Sequence, residues 1–142
     1  MNGGSHGLGL ATLTTYAQEG CDVAFFSSNA ERVDAAAKTV DAAGSGKVFA
    51  TELDMTDNPE AYAAWLVKAV EELGGCDIFI HTASASGQGA TGDWDRCLDL
   101  DIKGATIAIE ALTPALTESD CGSVIFMTST ACLLYTSPSP RD

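Results

Sequence analysis

The sequence predicts an α/β fold, in which helices cover both faces of a doubly wound, mostly parallel sheet to form an α/β/α sandwich. Short apolar runs alternate with longer amphipathic segments along most of the 142 residues. The short runs are rich in branched and aromatic residues, and they predict strands at residues 22–26, 47–52, 77–82 and 123–128. Because these runs are almost continuously apolar, we expect both faces of each strand to be covered.

Four helices are predicted, at about residues 7–19, 29–43, 59–73 and 93–117. The third begins with the N-cap residue Asn58 and the first-turn proline Pro59, and it ends at Gly74. Its inward-facing side chains are predicted to be Tyr62, Leu66, Ala69, Val70 and Leu73. In the last helix, apolar residues recur three and four positions apart and predict a buried face formed by Leu98, Ile102, Ala105, Ile109, Leu112 and Leu116.

Composition excludes several classes of protein. The chain carries 7 basic and 20 acidic side chains, a net charge of −13, so nucleic acid is not expected as a partner. No run approaches the roughly 20 apolar residues that span a bilayer, and there is no secretory leader, so we expect a cytoplasmic protein without membrane contact. The five cysteines show no two-residue spacing; they predict no metal site and are expected to be small buried side chains.

The last eleven residues do not follow the α/β pattern. Residues 132–142 read CLLYTSPSPRD and resemble the conceptual translation of a sequencing adapter. The sequence is therefore interpreted as a partial domain at residues 1–131 followed by a non-native tail at residues 132–142.

The chain opens with a glycine-rich turn that leads directly into the first helix. Gly3, Gly7 and Gly9 form a G-x3-G-x-G pattern. Glycine permits a tight turn at Gly3, close approach of a pyrophosphate at Gly7 and close helix–strand packing at Gly9, while the helix N-terminus offers free N–H groups to the anion. This pattern predicts a dinucleotide-binding, Rossmann-type fold.

Five landmarks then follow in an order that resembles the short-chain dehydrogenase/reductase family. They are the glycine motif, Asp54–Asp57 after the second predicted strand, His81–Ser84 after the third, Asp101 in the last helix, and Gly122–Ser129, which is similar to the strand ending in the family's catalytic serine. The sequence departs from the family where His81 and Thr82 replace two asparagines and where Asp101 replaces an asparagine. The resemblance covers about nine-tenths of the chain, but only the first half of the usual family domain.

This resemblance implies roles for particular residues. Ser129 would orient the substrate oxygen and Asp101 would support a proton relay, and these two form the implied catalytic set. The implied cofactor-binding residues are Gly3, Ser5, His6, Gly7, Leu8, Gly9, Ser27, Ser28, Asn29, Asp54, Met55 and Ala83. No metal is implied, and members of the family commonly form dimers or tetramers through the helix at residues 93–117.

The choice of coenzyme depends on the end of the first predicted strand. An acidic residue there would bind the ribose 2′-hydroxyl of NAD, and an arginine would bind the 2′-phosphate of NADP. Ser27, Ser28 and Asn29 occupy the turn instead, with Arg32 one helical turn later and His6 in the glycine motif. Hydroxyl groups beside a cation suit a phosphate, so the sequence favours NADP over NAD.

Compared with the family domain, the predicted sheet is incomplete. The central strand that would precede Asn2 is missing, as are the last strands and the family's Tyr-x3-Lys motif, which supplies the proton donor. We therefore expect this polypeptide to be inactive.

The resemblance implies a parent oxidoreductase that transfers hydride between nicotinamide and a small carbonyl or alcohol substrate. A 3-oxoacyl thioester is one candidate. A module that binds NADP without turnover is the alternative interpretation. A methyltransferase of similar fold is disfavoured, because no acidic residue ends the strand before Ser27.

Overall fold

The computed structural model describes residues 1–85 and 92–128, in which strands and helices alternate. In chain order the elements are α1 (Gly7–Gln18), β1 (Val23–Ser27), α2 (Ala30–Asp41), β2 (Val48–Glu52), α3 (Pro59–Leu73), β3 (Ile78–His81), α4 (Trp94–Cys97), a π-helical segment (Leu98–Lys103), α5 (Gly104–Glu118) and β4 (Ser123–Phe126). These elements confirm the predicted α/β fold and lie close to the predicted bounds.

Local side chains set the helix ends that the sequence predicted. The side chains of Asn29 and Asn58 accept hydrogen bonds from Arg32 N and Ala61 N, and so cap α2 and α3. Gly74 ends α3 in the left-handed conformation, with φ of 81°. Within residues 1–85 and 92–128, no helix combines the length and the apolar character needed to cross a membrane.

The sheet consists of two parallel strand pairs that Asn2 connects. β1 pairs with β2, and β3 pairs with β4. Asn2 forms parallel bridges to Phe26 on one side and to His81 on the other. The spatial order is therefore β2, β1, Asn2, β3, β4, which agrees with the expected position of a central strand between β1 and β3.

Two hydrophobic clusters pack on the two faces of this sheet, because successive strand residues point to opposite faces. Ala24 and Phe26 of β1 join Phe79 of β3 in the larger cluster, which contains buried residues of α3 and α5. Val23 and Phe25 join the smaller cluster, which contains buried residues of α1 and α2. The larger cluster therefore includes residues of both strand pairs, whereas the fully buried strand residues of the smaller cluster come from β1.

The prediction of one continuous last helix is wrong in two respects. A π-helical segment separates α4 from α5, so the chain does not keep one helical period from residue 93 to residue 117. Leu98 and Ile102, which were expected to be buried, are 51% and 59% exposed. The wider π turn changes the phase of the helix, and the residues buried in α5 are Gly104, Ala108 and Leu112.

The expectation that every strand is covered on both faces is also wrong for β4. All four of its residues are exposed. Within the described residues, β4 pairs with β3 alone. Its apolar side chains gain little burial from that pairing, since backbone pairing covers strand edges and not strand faces.

The cysteines are less buried than expected. In the described residues Cys21, Cys76 and Cys97 are half-buried, and Cys121 is exposed. Cys21 and Cys76 follow the turns that lead into β1 and β3, and each packs against a core cluster while remaining half-buried. The four are free thiols.

The amino group of Met1 lies between the two strand pairs. It donates to a carbonyl oxygen of β1, as the N–H group of a neighbouring strand would. This hydrogen bond to the carbonyl oxygen of Ala24 is 2.7 Å long. Burial lowers the pKa of this amine from 8.0 to about 6. The charged form of the amine is therefore disfavoured in the folded chain.

We expect the free energy of unfolding to fall as the pH is lowered from 8 to 6. The unfolded amine binds its proton near pH 8, whereas the folded amine binds it only near pH 6, so acid favours the unfolded chain across this window. The expected loss across this window is about 2 kcal/mol. Urea titrations at several pH values measure it. A chain acetylated at Met1 should keep only the smaller loss due to His81, whose pKa burial also lowers, and an equal loss after acetylation would contradict the assignment.

Candidate functional site

The glycine turn lies against the end of β3, so that two predicted segments of the site are in contact. The amide of Thr82 donates to Asn2 O at 3.1 Å. The Thr82 hydroxyl donates to the same oxygen at 2.7 Å and lies 3.2 Å from Gly3 O. Thr82 therefore fixes the turn, although the sequence indicated only that it departs from the family pattern.

Gly3 and Gly9 have no room for a side chain. Gly3 has a positive φ of 78°, and a Cβ atom there would lie 2.8 Å from the amide nitrogen of Ala83. A Cβ atom on Gly9 would overlap the carbonyl oxygen of Gly3. The turn, the first turn of α1 and the end of β3 are therefore packed backbone to backbone, and we call this close-packed arrangement the cradle.

The amino end of α1 faces this cradle. His6 is the N-cap residue, and its side chain makes no capping hydrogen bond. Gly7 and Leu8, in the first turn, are exposed. The first N–H groups of a helix have no partner within the helix and carry the positive end of its dipole. This arrangement suits an anion, since both features favour negative charge.

Three polar side chains meet where β1 ends. The Ser5 hydroxyl donates to the Ser27 hydroxyl at 3.0 Å and lies 3.2 Å from Nδ1 of His6. Ser28 and Asn29 follow on the surface, and the Asn29 side-chain oxygen is already used to cap α2. The structure therefore brings Ser5, His6 and Ser27 together, with Ser5 buried and His6 exposed.

Asp54 and Met55 follow β2 but have different surroundings. The Asp54 carboxylate accepts hydrogen bonds from the amide and hydroxyl of Thr56, at 3.0 and 2.7 Å, and from Arg96 at 3.2 Å. Partial burial alone would raise the pKa of Asp54, but these hydrogen bonds lower it below its usual value. Met55 is only 4% exposed and packs against Gly104, so little of its side chain is accessible.

A buried polar network lies behind the glycine turn. The Asn2 side-chain amide donates to the Tyr62 hydroxyl at 2.6 Å and also lies 2.9 Å from Nδ1 of His81. The Tyr62 hydroxyl donates to Gly104 O at 3.1 Å. The network joins Asn2 and β3 to α3 and α5.

His81 connects this network to the predicted relay residue Asp101. Burial lowers the pKa of His81 below its usual value, and the charge of nearby Asp101 opposes that effect in part. Asp101 lies in the π-helical segment and is half-buried. The other predicted catalytic residue, Ser129, lies outside the described residues. The structure therefore places one of the two predicted catalytic residues, at the carboxyl end of β3.

Comparison with known proteins identifies the family. The family described as short chain dehydrogenase matches residues 1–139. The chain belongs to this family. The match includes most of residues 132–142, and the domain boundary at residue 131 stays a prediction.

Two curated short-chain dehydrogenase relatives show how much of the family domain the chain represents. The short chain dehydrogenase pigC of Monascus ruber is 26% identical, over 94% of this chain and 48% of its own length. The 3-oxoacyl-[acyl-carrier-protein] reductase FabG of Staphylococcus aureus is 24% identical, over 91% of this chain and 54% of its own length. The chain spans about half the length of these relatives.

A solved short-chain dehydrogenase structure has the same fold. The short-chain dehydrogenase/reductase from Serratia marcescens superimposes with a TM-score of 0.85 and is 30% identical. The alignment covers 96% of this chain and 56% of that one. The match supports the Rossmann-type arrangement over nearly the whole chain.

Sequence reasoning missed three residues of this short-chain dehydrogenase site. Thr82 ties the glycine turn to β3, Tyr62 joins the network around Asn2, and Arg96 binds Asp54. Tyr62 was expected to be buried, but its apolar spacing gave no sign of a hydrogen-bonding role. No local pattern links Arg96 to Asp54, because the two are 42 positions apart.

Proposed function

We propose that the chain binds a nicotinamide dinucleotide over the glycine turn, with the pyrophosphate at the amino end of α1. The observation that carries this proposal is the exposed first turn of α1, which follows an N-cap side chain that makes no hydrogen bond and is held against the end of β3 by the close packing of Gly3 and Gly9. Gly7, Leu8 and Gly9 would offer backbone amides to the phosphates, and Ser5 and His6 would lie beside them. The bound coenzyme would supply hydride to, or accept it from, the substrate carbon.

Asp54 and Met55 would contact the adenine, and Ala83 the nicotinamide ribose. The contact of Gly3 with Ala83 supports the second assignment, because it places the end of β3 at the turn. Thr56 and Arg96 hold the Asp54 carboxylate in position. This supports its proposed role as a hydrogen-bond acceptor for the adenine at the carboxyl end of β2. Ligands in open parallel sheets bind at the carboxyl ends of strands, where these residues lie.

We also propose that NADP is preferred over NAD. Ser5, Ser27 and His6 form a cluster of hydroxyl and imidazole groups at the end of β1, with Ser28 and Asn29 beside it. The described residues at this end include no acidic side chain between Ser27 and Ala30 that would repel a 2′-phosphate. Charge-assisted hydrogen bonds to a phosphate would favour NADP.

Members of this family are oxidoreductases, and the reaction proposed for the whole protein is hydride transfer between nicotinamide and a small carbonyl or alcohol. The similarity to a 3-oxoacyl reductase supports a 3-oxoacyl thioester as one substrate class. Ser129 would orient the substrate oxygen and Asp101 would support the relay. The 142-residue polypeptide contains no Tyr-x3-Lys motif, so we expect it to bind coenzyme without turnover, as a binding module would.

Calorimetric titration with NADPH and NADH tests this proposal. We expect NADPH to bind about tenfold more tightly, since one charge-assisted hydrogen bond contributes roughly 1.5 to 3 kcal/mol. Ser27→Asp should reverse the preference, because a carboxylate accepts from the 2′-hydroxyl and repels the 2′-phosphate. Ser45→Asp adds the same charge on an exposed loop and should leave the preference unchanged.

Three outcomes would each contradict a different part of the proposal. Binding of neither coenzyme would contradict the proposed function. Tighter binding of NADH by the unmodified chain would contradict the NADP preference alone. Oxidation of NADPH with a 3-oxoacyl thioester above background would contradict the expected lack of turnover.

A further inference from the structure

Arg96 closes a ring of hydrogen bonds with Asp54 and Thr56 at the carboxyl end of β2. Its Nη2 atom donates to Oδ2 of Asp54 at 3.2 Å, and its Nη1 atom donates to the Thr56 hydroxyl at 3.3 Å. The Thr56 hydroxyl in turn donates to Oδ1 of Asp54 at 2.7 Å. One planar guanidinium therefore holds both the carboxylate and the hydroxyl beside it, a geometry that the ammonium group of a lysine does not reproduce.

The first turn of α4 determines where Arg96 begins. The Asp93 side chain caps this turn and accepts a hydrogen bond from the Arg96 amide at 2.9 Å. The backbone of Arg96 is held by this cap, while its side chain reaches a carboxylate 42 positions earlier in the chain. Arg96 therefore ties the start of α4 to the loop after β2, which carries the proposed adenine contact.

The ring uses most of the acceptor capacity of Asp54. An ionised carboxylate has about four lone pairs that can accept hydrogen bonds, shared by its two oxygen atoms. Oδ1 accepts from the amide and the hydroxyl of Thr56, and Oδ2 accepts from Arg96. With the described residues counted, this leaves an acceptor position on Oδ2, and the Asp54 side chain is 21% exposed. A ligand that reaches this carboxylate must therefore bring a hydrogen-bond donor.

The hydrogen bonds and the charge of Arg96 also keep Asp54 in the form that only accepts. Partial burial raises the pKa of Asp54, but Thr56 and Arg96 together lower it below its usual value. The carboxylate is therefore ionised at neutral pH and has no proton to donate. Adenine presents an amino group at C6, which is a donor, whereas a 6-oxo purine such as hypoxanthine presents an acceptor oxygen there. The ring is suited to the first kind of base.

Stability gives no comparable reason for the ring. The Arg96 side chain is 45% exposed, and exposed ion pairs contribute little to the free energy of unfolding. A substitution of Arg96 is therefore expected to change which ligand binds more than it changes the fold.

We propose that Arg96 is a positioning residue that determines which base the coenzyme site accepts. It orients the Asp54 carboxylate and the Thr56 hydroxyl so that the remaining acceptor position of Asp54 selects a 6-amino purine over a 6-oxo purine. Arg96 acts through Asp54 and does not itself have to touch the base. This inference rests on the proposed coenzyme site and adds to it the residue that controls the choice of base.

Calorimetric titration of the 142-residue chain with NADPH and with its hypoxanthine analogue measures this selection. We expect NADPH to bind about tenfold more tightly than the analogue, as one hydrogen bond to a charged group allows. Arg96→Met should reduce this ratio to about twofold or less, through weaker binding of NADPH. Arg96→Lys should give an intermediate ratio, because lysine keeps the charge and loses the fork. Lys38→Met removes an exposed cation from the last turn of α2 and should keep the full ratio.

A second measurement needs no coenzyme. The NMR signal of the Asp54 carboxyl carbon, followed against pH in the chain alone, reports the pKa of this group. Arg96→Met should raise the pKa of Asp54, because it removes a hydrogen bond and a positive charge, whereas Lys38→Met should leave it unchanged. Urea unfolding of each variant checks that the fold is kept. A pKa of Asp54 that does not rise in folded Arg96→Met would overturn the proposal.

The titrations separate failure of this inference from failure of the proposed function. If the unmodified chain binds neither dinucleotide, the proposed function and this inference are both wrong. If it binds both equally, or if Arg96→Met keeps the full ratio, the role of Arg96 is wrong and the coenzyme site stands. Tighter binding of NADPH by Arg96→Met would show that Arg96 competes with the base for Asp54, and would also overturn the proposal. Should Arg96→Met fail to fold, an undiminished ratio in Arg96→Lys would overturn it.

Discussion

Replacing Gly9 by alanine is expected to destabilise the chain and to abolish coenzyme binding. Helix propensity alone predicts the opposite sign, because alanine is favoured over glycine by about 1 kcal/mol inside a helix. The added methyl group, however, would overlap the carbonyl oxygen of Gly3 and would lie 3.1 Å from the Thr82 hydroxyl. A backbone atom cannot rotate away as a side chain can. Overpacking typically costs 1 to 3 kcal/mol, so we expect a net loss of about 2 kcal/mol.

Gly20→Ala provides the control for this substitution. Gly20 has a φ of 81°, but no atom lies within 4 Å of the position of its Cβ atom. This variant should lose about 1 kcal/mol through backbone strain and keep its affinity for coenzyme. Urea unfolding and calorimetric titration of both variants measure the effects. A Gly9→Ala chain that is more stable than the unmodified chain, or that binds coenzyme equally well, would refute the packing of the cradle.

Tyr62→Phe is expected to have an effect of similar size through the buried network. The hydroxyl accepts from Asn2 and donates to Gly104 O, so its removal breaks two buried hydrogen bonds, while the Asn2 amide keeps its contact with His81. Each such hydrogen bond contributes about 0.5 to 1.5 kcal/mol. We expect the free energy of unfolding to fall by about 1 to 3 kcal/mol, with little change in volume.

A double-mutant cycle with Asn2→Ala separates the contribution of the Asn2–Tyr62 hydrogen bond from the other effects of the two substitutions on stability. The combined loss should be smaller than the sum of the two single losses by about 1 kcal/mol, because both variants break the same contact. Tyr16→Phe removes a hydroxyl from a half-buried tyrosine of α1 and should change stability by less than about 0.5 kcal/mol. Additive losses in the cycle would show that the Asn2–Tyr62 hydrogen bond contributes nothing.

The elements of the fold could be predicted because local signals specify them. Asn29 and Asn58 mark the starts of α2 and α3, and the apolar runs that form β1 and β3 are too short for helices. The period of the last helix could not be predicted in the same way. A π turn adds one residue to the repeat, and nothing in the pattern of Leu98 and Ile102 distinguishes this from a continuous α-helix.

The glycine turn was predictable because backbone requirements determine its residue types. Glycine is required at positions 3 and 9 because the turn leaves no room there for a side chain, and the structure contains that turn. Ser5 and Ser27 could be grouped because the glycine turn and the end of β1 meet at the same edge of a parallel sheet. Long-range side-chain pairs, such as Arg96 with Asp54, depend on tertiary packing that a single sequence does not encode in any local spacing.

The division of the core between the two sheet faces has a consequence for how the chain opens. β3 is anchored through Phe79 to the larger cluster, whereas the smaller cluster draws its buried strand residues from β1. Detachment of β3 and β4 would therefore leave α1, α2 and β1 packed together. Proteins open in cooperative units of unequal free energy. Cleavage by a protease that acts after local opening would measure the free energy of opening of the β3–β4 unit. A denaturant titration that follows the helical signal of α1 and α2 would measure a larger free energy.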